Sequence, residues 1–145
     1  MKTILWFVLA VLAAAILGSV LQSIFNLFAI ANLVGAVPVS LWLSTIGFDL
    51  VNFMPILAVI FLPIMLLSLL ATRFLRRLIK LSLLPASFGV TVLATWLALL
   101  LINHFVPMPT LIALNRSTIG TLLLISCSGT AVMLFYFMAY QRRTL

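Results

Sequence analysis

The sequence predicts an all-α membrane protein. The expected architecture is a four-transmembrane-helix bundle with both termini in the cytoplasm and an irregular amphipathic periplasmic segment between helices 1 and 2. Three observations predict it. Of 145 residues, 66% are apolar and only 6% are charged, against about 45–50% and about 25% in a soluble domain. Four stretches, residues 4–21, 53–72, 83–105 and 118–140, are apolar almost throughout, and a helix crossing a bilayer needs about 20 such residues. The lysines and arginines fall at the borders of those stretches, as topology signals do.

The first stretch opens after Lys2 and passes the small residues Ala13, Ala14 and Ala15. This is also the outline of a signal peptide, but the apolar run exceeds the roughly 7–15 residues usual there, so a retained span is expected. Ala10, Ala14 and Gly18 recur every four residues, a small-residue ridge that lets another helix approach closely in lipid. The ridge suits a neighbour in the same chain, a second copy or another membrane protein.

Residues 22–52 carry no positive charge and are interrupted by Gln22, Asn26, Asn32, Gly35 and Pro38. Gly35 and Pro38 are helix-ending signals, so the first helix is expected to run past Leu21 to about Leu33. At about 1.5 Å per residue, such a helix reaches about 45 Å and must tilt, kink or protrude. The stretch from Val39 to Phe48 then lies along the interface, with Trp42 among the headgroups. A fifth span is the alternative. Gln22 and Asn26 share a helical face and form a possible polar site.

Asp49 is the only acid. An ionisable group in a membrane segment is a functional hypothesis by default. At a span edge, a solvated turn residue ahead of an Asn52 helix cap is the simpler expectation, and Arg116 is a possible ion partner. Asn52 and Ser82 precede Pro55 and Pro85, and Ser117 precedes the last span, each placed to cap a helix. Pro63 falls mid-span, where it removes a backbone hydrogen bond.

Arg73, Arg76, Arg77 and Lys80 are spaced for one helical face. With Arg142 and Arg143 two spans later, they assign that side to the cytoplasm. The cluster suits an interfacial helix facing anionic lipid headgroups or an acidic partner. Ser87, Thr91 and Thr95 form a hydroxyl stripe on the third span. Thr121, Ser126, Cys127, Ser128, Gly129 and Thr130 make the fourth similarly small and mildly polar. Such hydroxyls either aid packing or line a narrow path. Trp6 and Tyr140 fall near one interface, and Trp96 falls deep in the third span. His104 ends that span as an interfacial residue or a possible polar-site member.

The absences narrow the function. The net charge of +7 is split among span borders and forms no water-exposed patch for nucleic acid. One cysteine excludes an internal disulfide and a disulfide-forming membrane enzyme. One histidine and one acid fall short of a bis-histidine haem, a metal centre or an aspartyl dyad, and no glutamate exists for a zincin motif. No enzyme activity and no cofactor are therefore expected. The composition points to an accessory or assembly subunit of the bacterial cytoplasmic membrane, acting on other integral membrane proteins. A small oligomeric transporter or channel, and an immunity or exclusion protein, are the competing readings.

Overall fold

The computed structural model describes residues 2–105 and 113–141. They form five α-helices: α1 (Lys2–Val34), α2 (Val39–Asn52), α3 (Met54–Leu78), α4 (Leu83–Phe105) and α5 (Thr118–Gln141), with a 3-10 turn at Ala113–Arg116. No strand occurs among the described residues. All but α2 are long and apolar enough to cross a membrane, which marks a multi-pass membrane protein. Lipid explains the all-helical result: where no water can serve the backbone, a helix satisfies every N–H and C=O within its own segment.

Each long helix runs antiparallel to the next. α1 packs on α3 and α5, and α4 packs on the same two, so α1 and α4 stand on opposite corners of a square. One end gathers the start of α1, the turn from α3 to α4 and the last turns of α5; it is the basic end. The other carries α2 and is the hairpin end.

α1 ends as its residues dictate. Gly35 takes a left-handed φ of 87°, a conformation only glycine adopts freely, and its N–H closes the helix on the Ala31 carbonyl at 2.9 Å. The expected end near Leu33 is thus met at Val34. The 33 residues of α1 measure about 50 Å at about 1.5 Å each. Buried positions on it run from Ala10 to Leu27, and beyond them α1 leaves the four-helix bundle.

Residues 39–52 correct one expectation. They are a regular helix of 14 residues, not an irregular segment. The Pro38 carbonyl accepts the N–H groups of Leu41 and Trp42, and a proline just ahead of a helix is pre-set for that role. At about 21 Å, α2 is also too short to be a fifth span across a core of about 30 Å. It lies antiparallel along the far part of α1. The Phe28 and Trp42 rings meet edge to face with centroids 5.3 Å apart, and Ser23 reaches Asp49.

Asn52 does not cap α3. It is the last residue of α2, and its Nδ2 donates to the Phe48 carbonyl at 2.9 Å. Phe53 holds the capping position with no side-chain bond, and Pro55 follows in the first turn. Because Pro55 offers no N–H, the chain steps from α2 into α3 there with only Phe53 between them. Ser82 precedes α4, where its carbonyl accepts the Ala86 N–H. Ser117 caps α5 as expected, its Oγ accepting the Gly120 N–H at 3.0 Å. Pro63 lies inside α3 on its exposed side.

Apolar attraction does not hold helices together in lipid; close packing and hydrogen bonds do. Ala10, Ala14 and Gly18 are all buried, so this ridge is spent inside the bundle. Leu57 and Phe61 of α3 and Leu124 of α5 close over Gly18. Phe7 and Phe135 seal the basic end of the same interface, with ring centroids 6.0 Å apart. α4 meets α5 at Gly129, where an added Cβ would stand 2.8 Å from Val92 and 2.9 Å from the Phe88 ring. At Gly120, the place of a Cβ is taken by the Leu114 carbonyl.

Gly129→Ala is expected to cost about 1–3 kcal/mol by overpacking, with Gly120→Ala at the upper end because a backbone carbonyl cannot step aside. Gly47→Ala and Gly89→Ala, where nothing lies within 4 Å, should gain up to about 1 kcal/mol from helix propensity. Unfolding midpoints in mixed micelles check the ordering.

Candidate functional site

Three groups of polar side chains interrupt the apolar helices. The first is the hydroxyl stripe. Ser87, Thr91 and Thr95 are fully buried, and α3 and α5 each bring a serine to them. Thr91 Oγ1 lies 2.9 Å from Ser68 Oγ on α3, and Thr95 Oγ1 lies 2.8 Å from Ser128 Oγ on α5. Each hydroxyl carries one proton and can also accept. In the first pair, Thr91 donates to Ser68 and Ser68 donates to the Met65 carbonyl. In the second, Ser128 can donate to Thr95 while Thr95 donates to the Thr91 carbonyl. Both pairs close with no proton left over. Thr72, one turn beyond Ser68, is buried as well and donates to the Ser68 carbonyl at 2.7 Å. Fully buried along the seam, these groups rivet α4 to its two neighbours.

The second group sits where α1 meets α2. Ser19, Gln22 and Ser23 are buried on α1, and Asn26 one turn on is half-buried. Ser23 Oγ donates to Asp49 Oδ2 at 2.6 Å, a charge-assisted length. Asp49 therefore lies in the last turn of α2 and faces α1, which corrects its reading as a solvated turn residue. The proposed pair with Arg116 rests on a side chain outside the described residues. Ser19 Oγ and Gln22 Oε1 are buried beside this bond without a hydrogen-bond partner. His104 is exposed, and its ring meets the Phe105 ring edge to face with centroids 5.3 Å apart. No hydrogen bond or ion pair joins it to Asp49 among the described residues, and no three metal-ligating side chains come together there. Its neighbour Asn103 lines a cavity of about 330 Å³ with Asn115, Thr121 and Trp96, where Thr121 donates to Asn115 Oδ1.

The third group is the basic end. Arg73, Arg76 and Arg77 occupy the last turns of α3, which stops at Leu78, so Lys80 stands beyond the helix. This corrects the expected separate interfacial helix with four charges on one face. Cations at a helix C-terminus complement its dipole. Arg76 Nε also donates to the Leu81 carbonyl at 3.3 Å and so braces the turn into α4. Arg142 and Arg143 lie outside the described residues. Tyr136 on α5 borders Arg73 and Arg76 and buries an unpartnered hydroxyl.

The sequence pattern picked out the stripe on α4 and Ser128 on α5, but not Ser68 on α3. Ser68 and Thr72 carried the same four-residue hydroxyl spacing, and so did Ser19 and Ser23 around Gln22. No family model matches the chain, and no curated protein or solved structure matches it.

A double-mutant cycle of Ser68→Ala and Thr91→Val should return a coupling of about 0.6 kcal/mol, the usual size for a hydrogen bond between membrane helices. Thr130→Val, on an exposed hydroxyl bonded to its own helix, should be neutral in the same unfolding assay. Asp49→Ala removes the one side-chain hydrogen bond that ties α2 to α1 among the described residues. Amide exchange should then quicken in α2 and stay unchanged in α4 and α5.

Proposed function

We propose that this protein is a non-enzymatic accessory or assembly subunit of a bacterial cytoplasmic membrane, with both termini in the cytoplasm, that acts by packing against other integral membrane proteins. The observation that carries this reading is the hairpin of α1 and α2. Between Lys2 and Asp49 the chain carries no charged side chain. Beyond Leu27 its large side chains point outward, with Leu33 at 87% and Val34 at 77% exposed, and Val39, Leu43, Phe48 and Val51 follow on α2. Acyl chains cover the apolar faces of the spans, but α1 at about 50 Å overreaches a hydrocarbon core of about 30 Å, so part of this surface extends past the reach of lipid chains. A transmembrane helix of a partner covers such a surface best, because it offers both apolar side chains and a satisfied backbone.

The interior supports the same reading. The hydroxyls of the α4 seam are fully buried and bonded to one another or to helix carbonyls, as packing requires. The four arginines and lysines of residues 73–80 hold their turn in the cytoplasm by the positive-inside bias.

Gentle detergent extraction of a tagged chain from its own host should recover a stoichiometric membrane protein. Leu33→Asn with Phe48→Asn should release it while leaving the helical content intact. Recovery of the chain alone would count against the reading. A reporter fused after Leu145 is expected to be active inside the cell only.

A further inference from the structure

We propose that the basic end binds one phospholipid with an anionic headgroup, its phosphate on Arg73 and Arg76 and an acyl chain in a groove formed by α1, α3 and α5. Two cavities meet there and share Thr3, Arg73, Phe135 and Tyr136 as walls. One, of about 230 Å³, is otherwise lined by apolar side chains, with Ile4 and Phe7 on α1 facing Leu69 and Leu70 on α3. The other, of about 200 Å³, adds the Arg76 side chain. A greasy slot thus opens into a compartment walled by two guanidinium groups, the polarity profile of a lipid near its headgroup.

The charges demand an anion from outside. The chain has a single acid, and it is bonded to Ser23 at the opposite end. Arg73 and Arg76 have no carboxylate partner among the described residues. The bond from Arg76 Nε to the Leu81 carbonyl fixes that side chain while leaving its terminal nitrogens free to grip an oxyanion. Guanidinium forks match phosphate oxygens in geometry as well as charge. Tyr136 walls both cavities, and its buried hydroxyl has no hydrogen-bond partner among the described residues; a side-chain turn toward a bound phosphate would give it an acceptor. Free phosphate would leave the apolar slot unused; a lipid fills both compartments at once. Arg77 and Lys80 line neither cavity, so the site is narrower than the charge cluster.

The test is native mass spectrometry of the full chain in mild detergent, with added phosphatidylglycerol or phosphatidylcholine of equal chain length. One phosphatidylglycerol should be retained in preference to phosphatidylcholine. Arg73→Gln with Arg76→Gln should weaken retention about tenfold or more, the loss of charge-assisted hydrogen bonds. Tyr136→Phe should weaken it less, and Leu70→Trp should reduce it by filling the slot with every charge in place. Arg77→Gln with Lys80→Gln, which removes the same net charge, should retain the lipid as the parent does. Helical circular dichroism confirms that each variant is folded. Equal losses in the two double variants would overturn the site in favour of diffuse attraction. Displacement by glycerol phosphate as effectively as by whole lipid would overturn the lipid assignment, and equal retention of phosphatidylcholine would overturn the headgroup assignment.

Discussion

A buried polar group in this protein can find a partner only within the chain or on a bound molecule, because the surrounding hydrocarbon has none to offer. The backbone meets that demand by being helical almost wherever it is described. The hydroxyl side chains meet it by pairing across helices or turning back to a carbonyl three or four residues earlier. The second solution has a structural consequence. A hydroxyl spent on its own helix contributes little to association, whereas the Ser68–Thr91 and Thr95–Ser128 contacts act between helices. α4 owns one member of each pair and packs chiefly on α3 and α5, so its two hydroxyl rivets hold the corner of the square opposite the small-residue ridge.

The opposite corner is held by shape. Ala10, Ala14 and Gly18 bring α1 close to α3 and α5, and each close approach adds dispersion contacts that lipid chains could not supply as densely. Ridge and seam are therefore complementary devices on opposite helices. One depends on the absence of side chains and the other on short polar ones, and neither needs a charged group in the membrane interior.

Most of this architecture was legible in the sequence because length and apolar content alone define a span. The four spans, the end of α1 at Gly35 and the Ser117 cap were all readable from residue type. The segment at 39–52 was not. Its scattered serines and Gly47 argue for a loop in water, where Ser44 competes for backbone bonds. Lying against α1, the same hydroxyl donates to the Leu41 carbonyl and the helix persists. Asn52 misled for a related reason: a good capping residue also bonds backward within a preceding helix. The polar cluster was half legible. Gln22, Asn26 and Asp49 stood out by their rarity in an apolar chain, whereas the pairing of Asp49 with Ser23 joins residues 26 positions apart and needed the turn at Gly35 to bring them together.

The two ends of the molecule leave opposite debts. At the basic end, three arginines close α3 with no carboxylate beside them among the described residues; their like charges repel, and the helix dipole and the Leu81 carbonyl offset that only in part. At the hairpin end, bulky apolar side chains stand exposed on a charge-free pair of helices, and water is the worst medium for them. The interior, by contrast, pairs most of its buried hydroxyls within the chain; Ser19, Gln22 and Tyr136 are the buried exceptions. The proposed lipid phosphate would complete one end and the proposed partner helix the other, each with a chemistry that the described residues at that end lack. That division follows from where nine charged residues were placed among 145.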